Sequence, residues 1–148
     1  MIPHNKPTLG KEEEIAALRI LRSGQLSYGD EARKFENEFC GFLGLPEGHA
    51  VAVSSGSSAL FLAMKILFKE KETITIPGYV CSALRNAIQL MECDIEFLDV
   101  KKNSPNIDEK LIQDDSNPMI IPHMYGIPVN IPKLRNGVII EDCSHAIG

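Results

Sequence analysis

A chain of 148 residues has room for one ordinary domain, and 44% hydrophobic with 24% charged residues is the balance of a folded globular protein. That excludes a disordered or collagen-like chain. With Lys+Arg at 15 against Asp+Glu at 20, the net charge of -5 argues against a broad nucleic-acid surface and against attraction to anionic lipid, but leaves room for one small bound anion.

No apolar run approaches the roughly 20 residues that cross a bilayer. The longest, Ala59-Leu60-Phe61-Leu62-Ala63-Met64, stops at Lys65. The N-terminus, Met1-Ile2-Pro3-His4-Asn5-Lys6-Pro7, lacks the apolar core of a signal peptide. The expected location is therefore cytoplasmic, with no membrane partner. Cys40, Cys81, Cys93 and Cys143 form no Cys-x-x-Cys pair and are expected to be free and partly buried.

In chain order, Glu12-Glu13-Glu14 opens a helix, with acids where the dipole favours them. Ile15, Leu18 and Leu21 follow at helical spacing, and Ser23-Gly24 stops it. Residues 25–29 read as a loop. A second amphipathic helix carries Ala32, Phe35, Glu36, Phe39, Phe42 and Leu43 and ends near Gly44 and Pro46. Ala50-Val51-Ala52-Val53 then reads as a short buried strand, Ser54-Ser55-Gly56-Ser57-Ser58 as a turn, and residues 59–67 as a mostly apolar helix. The unit repeats in outline. Residues 73–76 form a strand, 81–91 a helix, 94–100 a strand, 106–113 a short helix, 119–121 a strand and 138–140 another. Strands alternating with helices imply a parallel sheet covered on both faces.

Three segments carry chemistry. In Ser54-Ser55-Gly56-Ser57-Ser58, a strand ends, a glycine allows a tight turn at positive φ, and a helix starts with free N–H groups and hydroxyls. This suits a phosphate, although a serine-capped helix needs no ligand. In Ile140-Glu141-Asp142-Cys143-Ser144-His145, an apolar strand delivers an acidic pair to the edge where open α/β sheets put their ligands. Cys143 and His145 are two potential metal ligands without a second pair, so no metal is expected. His123-Met124-Tyr125-Gly126-Ile127-Pro128 again follows a strand, and reads equally as a packed histidine and tyrosine beside a turn.

The order of these motifs resembles the DegT/DnrJ/EryC1/StrS family of nucleotide-sugar aminotransferases of fold type I, over its N-terminal half. Eight segments carry the resemblance from Pro7 onward. They are Ser23-Gly24-Gln25-Leu26-x-x-Gly29, Phe35-Glu36-x-x-Phe39, Ser54-Ser55-Gly56-Ser57-Ser58-Ala59-Leu60 and Ile76-Pro77-Gly78-Tyr79. The others are Phe97-x-Asp99-Val100, Asn106-Ile107-Asp108, Ile121-Pro122-His123-Met124-Tyr125-Gly126 and Glu141-Asp142-Cys143-Ser144-His145-Ala146-Ile147-Gly148.

The resemblance implies an incomplete three-layer α/β/α large domain with a mostly parallel sheet, residues 1–148 being its N-terminal part. It implies pyridoxal 5'-phosphate as cofactor. Gly56 and Ser57 match the turn that holds the phosphate. Asp142 matches the aspartate facing the pyridine nitrogen, and His145 a position near the ring. Cys81 stands where many members carry an aromatic residue stacked on the ring, which cysteine cannot do. The family lysine that forms the Schiff base, and the small C-terminal domain, match no segment here. Lys65, Lys69, Lys71, Lys101, Lys102, Lys110 and Lys133 lie outside that motif, so no catalytic residue is expected among them.

The implied activity is transfer of an amino group, from a donor such as glutamate, to a nucleotide-linked keto-sugar. These residues would be its cofactor-binding half. The alternative is a non-catalytic truncated remnant or assembly partner. In the family, strand 51–54 joins the sheet through two later strands without counterparts here. The strand is therefore expected to be unpaired, and a homodimer or a complementing C-terminal chain is the expected remedy.

Overall fold

The computed structural model describes residues 6–112, 116–131 and 137–147. Lys133, the expected helix end at Gln113, residues 1–5 and Gly148 lie outside them. The chain divides into two compact units, Met1–Ala52 and Val53–Gly148.

The first unit carries helices α1 (Lys11–Ser23) and α2 (Asp30–Phe42). Glu12, Glu13 and Glu14 occupy the first turn of α1, and the Glu13 side chain accepts from the Gly10 N–H at 2.6 Å. Gly24, at φ 72°, ends the helix in the left-handed conformation that glycine adopts without a Cβ clash. In α2 the buried side chains are Glu36 and Cys40, one turn apart, whereas Phe35 and Phe42 are exposed. A carboxylate therefore sits inside the face that aromatic spacing pointed to.

Its presence is explained by its bonds. Glu36 Oε1 accepts from the Ala52 N–H at 2.7 Å, and Oε2 accepts from the Tyr28 hydroxyl at 2.7 Å. Buried carboxylates persist only when hydrogen-bonded in this way. The bonds tie the 25–29 loop and the end of the unit to α2.

The second unit is an α/β layer structure. Strands β1 (Thr73–Pro77), β2 (Asp94–Leu98), β3 (Met119–Pro122) and β4 (Ile139–Asp142) form one parallel sheet in the order β2-β1-β3-β4. Helices α3 (Gly56–Leu67) and α4 (Ser82–Gln89) pack on each other and on one face. The period of two along each strand sorts side chains between faces. Ile74, Ile76 and Ile120 meet Leu60, Met64, Leu84 and Ile88 on the helical side. Met119, Ile121 and partly buried Ile139 point the other way, against Ile107 and Val129.

That second face is covered, among the described residues of this unit, by irregular chain. Residues 106–113 were expected as a helix. Instead Ile107 bridges Val100 antiparallel, and only a 3-10 turn, Glu109–Leu111, follows the Asp108 cap. Asn106 is spent on tertiary bonds: its amide donates to the Ile127 carbonyl at 2.7 Å, and its oxygen accepts from the Met124 N–H at 3.0 Å.

Other boundaries also move, the expected helix 81–91 shortening to Ser82–Gln89 and the expected strand 94–100 to Asp94–Leu98 among them. Residues 50–53 are extended but pair with no described strand, and Val51 is 77% exposed. A β-branched run forms a strand only when a neighbour takes its backbone groups. α3 starts at Gly56 rather than Ala59, because Ser55 caps it. β4 runs on to Asp142, carrying both acids into the sheet. No helix among the described residues is long and apolar enough to cross a membrane.

Glu36 yields a pH prediction. The Ala52 N–H, then the Tyr28 hydroxyl, hold its pKa below the ordinary glutamate value of 4.5. A depressed folded-state pKa gives stability that is complete above the unfolded value and lost as pH falls through the folded one. Denaturant unfolding below about pH 4.5 should therefore show a steeper loss in the wild type than in Glu36→Gln. Equal slopes would remove Glu36 from the acid response.

Candidate functional site

Four parallel strands deliver their C-terminal ends to one edge, and the N-termini of α3 and α4 open there. Between them lies a cleft of about 450 Å³, lined by Gly56, Ser57, Cys81 and Asp142 together with apolar side chains such as Leu60 and Ile140. His145 lines an adjoining recess that shares Cys81, Leu84, Asp142 and Ser144 with the cleft. Residues separated by up to 89 positions in the chain are thus neighbours around one opening.

The α3 end is built by three serines. Ser55, the N-cap, accepts from the Ser58 N–H at 3.1 Å, and its hydroxyl lies 3.0 Å from that of Ser58. Ser54 Oγ lies 3.3 Å from the same hydroxyl. The helix cap is therefore made, but by Ser55 and not by the next two residues. Gly56 and Ser57 occupy the first two helical positions, whose N–H groups have no intrahelical acceptor. The Ser57 side chain makes no hydrogen bond among the described residues.

Gly56 does not need a positive φ, contrary to expectation, because it is already the first residue of a right-handed helix. A Cβ built on it meets no atom within 4 Å. The fold thus leaves space beside this backbone that it does not itself fill.

At the opposite wall, Asp142 ends β4. Its Oδ1 accepts from the Ser144 N–H at 3.0 Å and its carbonyl from the His123 N–H at 3.1 Å. The carboxylate is oriented by a turn and is half-buried, with its other oxygen unengaged by hydrogen bonds among the described residues. Cys81 is the exposed N-cap residue of α4 and makes no capping bond. Cys143 is half-buried, and burial, then the carboxylates of Glu141 and Asp142, push its thiol pKa up.

Sequence reasoning singled out His123, Tyr125 and His145 but missed the contacts that gather them, with Glu141 and Tyr79, into two groups. His123 is 5% exposed. Its Nδ1 accepts from the Val129 N–H at 2.9 Å, so its proton lies on Nε2, 2.9 Å from Glu141 Oε2. Cys143 brings a third potential ligand atom within 4.8 Å of these two, but both imidazole nitrogens are already engaged in the hydrogen-bond network. The other group is Tyr79, Tyr125 and His145. The phenol oxygens lie 2.8 Å apart, and the Tyr125 ring stacks on His145 with centroids 5.8 Å apart. All three stand in segments that the resemblance picks out, each following a strand at the edge where the cleft opens, but nothing local signalled the contacts that join them.

Together these features make an α/β unit in which a helix end with unengaged N–H groups faces a strand-end carboxylate across a cleft. The family to which it belongs follows from comparison: the chain is a member of the DegT/DnrJ/EryC1/StrS aminotransferase family, whose model matches residues 7–148. Spore coat polysaccharide biosynthesis protein SpsC of Bacillus subtilis (strain 168) is 33% identical over 158 aligned residues, covering 99% of this chain and 40% of that protein. The structure of E. coli GDP-4-keto-6-deoxy-D-mannose-3-dehydratase with bound hydrated PLP superimposes with a TM-score of 0.88 at 25% identity, covering 99% of this chain and 41% of that one. The aminotransferase from Psychrobacter cryohalolentis gives 0.85 at 25%, covering 99% and 40%. The chain therefore spans about 40% of the length of these relatives.

The division of labour among the serines is testable. Ser55→Ala should cost about 0.5–2 kcal/mol in denaturant unfolding through loss of the cap, while Ser57→Ala should leave stability within about 0.5 kcal/mol. A larger effect at Ser57 would make it structural.

Proposed function

We propose that these residues form the cofactor-binding part of a pyridoxal 5'-phosphate enzyme that transfers an amino group to a keto-sugar carried on a nucleotide. The observation that carries the reading is the cleft, where two free helix N–H groups and a free hydroxyl lie across an opening from the Asp142 carboxylate, with Glu141 and Ser144 also on its lining. The cofactor is a dipolar molecule, with phosphate at one end and a basic ring nitrogen toward the other, and this donor set suits it.

Gly56 and Ser57 would bind the phosphate. Their N–H groups and the Ser57 hydroxyl point donors at an anion, and the helix end adds roughly half a positive charge. The space beside Gly56 lets the phosphate approach the backbone. Among the cleft-lining residues there is no Lys or Arg, so backbone and hydroxyl donors carry the contact. Asp142 would hold a proton on the ring nitrogen, its carboxylate kept in place by the Ser144 N–H. His145 would orient the ring from the side, and Cys81 would border one ring face without stacking on it. When bound, the cofactor supplies an electron sink for the carbanion formed in transamination.

The lysine that carries the family's proton transfers matches none of these residues. In this reading it comes from polypeptide outside them, either continuous with this chain or a second chain. A dimer or a complementing chain would also give residues 50–53 a strand to pair with.

The test is a titration with pyridoxal 5'-phosphate, with pyridoxal as control. Ser57→Ala should weaken binding of the phosphorylated ligand by about 1.5–3 kcal/mol, the weight of a hydrogen bond to a charged group, and leave pyridoxal unaffected. Gly56→Val should weaken it further, because its branched side chain fills the approach. Unchanged affinity in both variants would return this helix end to a simple serine cap.

A further inference from the structure

Tyr125 is a left-handed non-glycine residue, at φ 55° and ψ 31°, in the short turn Met124–Gly126 after β3. Such a conformation persists only when its surroundings hold it. Here three contacts do so. The Tyr125 hydroxyl bonds that of Tyr79, which follows β1 on the neighbouring strand. The Tyr125 ring lies on the His145 ring at 29° between planes. Beneath it, buried Asn106 fixes the turn by taking the Met124 N–H and donating to the Ile127 carbonyl.

The result is that the Tyr125 backbone N–H donates to His145 Nδ1, at 3.5 Å. A ring that accepts at Nδ1 carries its proton on Nε2. The next residue is packed against the same place: a Cβ on Gly126, at φ 77°, would lie 3.6 Å from the His145 carbonyl.

We infer that Tyr125, locked by its phenol bond to Tyr79, is a positioning residue that fixes the tautomer of His145 and so leaves Nε2–H as the hydrogen-bond donor offered to the ligand. The inference deepens the proposed cofactor reading and rests on it for its use, but not for its geometry. Tyr79 and Tyr125 are both more than half exposed, at 51% and 63%, so their bond is not a by-product of core packing. The same bond holds the Tyr125 phenol pKa above its ordinary value, consistent with a hydroxyl kept protonated in the pair.

The test reads the imidazole nitrogens directly. Protein labelled with 15N-histidine is examined by NMR at mildly alkaline pH without added cofactor, the His145 signals being assigned with His145→Gln. The wild type should show His145 protonated on Nε2 and bare on Nδ1. Tyr79→Phe and Tyr125→Phe keep the rings but remove the phenol bond. Each should raise the Nδ1–H fraction by a factor of about 2–10, the weight of one neutral hydrogen bond. Wild-type His145 protonated on Nδ1 would overturn the inference. So would phenylalanine variants that lower the melting temperature while leaving the tautomer fixed, since that is a structural role alone. Because no cofactor is present, failure here is distinct from failure of the cofactor titration.

Discussion

Parallel strands must all end at the same edge, and much of what this chain can do depends on that constraint. β1, β3 and β4 bring Tyr79, His123 and Asp142 to one rim although they are far apart in sequence. α4, which returns the chain from β1 to β2, and α3, which leads into β1, start at the same rim, so each presents free N–H groups there. A ligand site at this edge needs no special device beyond the choice of a few side chains. The core beneath supplies rigidity: Ile74, Ile76 and Ile120 are fully buried under α3 and α4, and Met119 and Ile121 under the opposite covering.

The cleft that results is electrically asymmetric. One wall is a helix end with donors and no side-chain charge, and the other carries the carboxylates of Asp142 and Glu141. In the proposed reading such a site suits a ligand carrying an anion and a protonated nitrogen in one rigid body better than a simple dianion, which Asp142 would repel. The two walls are held by separate means. Ser55 takes the capping role at α3, leaving Gly56 and Ser57 unengaged by it, while the Ser144 N–H and the β3–β4 pairing fix Asp142. Family membership and the overlap with solved relatives agree with the α/β fold that carries the cleft.

The parts legible in sequence are those governed by local physics. The alternation of β-branched runs with helical spacing marks the parallel sheet, and Ser54-Ser55-Gly56-Ser57-Ser58 between a β-branched run and an apolar helix marks the helix end. Gly56, Ser57, Cys81 and Asp142 do line one cleft, with His145 beside it. The parts that were not legible depend on partners distant in sequence. Ala50-Val51-Ala52-Val53 reads as a buried strand, yet Val51 is exposed; that it pairs with no described strand was expected from the resemblance. Asn106 reads as a helix start, yet its amide is worth more as a buried bridge to residues 124 and 127. The Glu36 carboxylate occupies a buried helix position that aromatic spacing would assign to an apolar residue, because Tyr28 and Ala52 satisfy both its oxygens. The Tyr79–Tyr125 bond spans 46 positions and follows from strand order alone, which no local pattern encodes.

The central claim is that the two walls of the cleft act on one ligand, and amide NMR tests it most directly. Adding pyridoxal 5'-phosphate to 15N-labelled protein should shift the Gly56 and Ser57 amides at one wall and the Asp142 and Ser144 amides at the other, with one shared midpoint. Pyridoxal lacking the phosphate should leave Gly56 and Ser57 unmoved. Separate midpoints for the two walls, or shifts confined to one of them, would contradict the account.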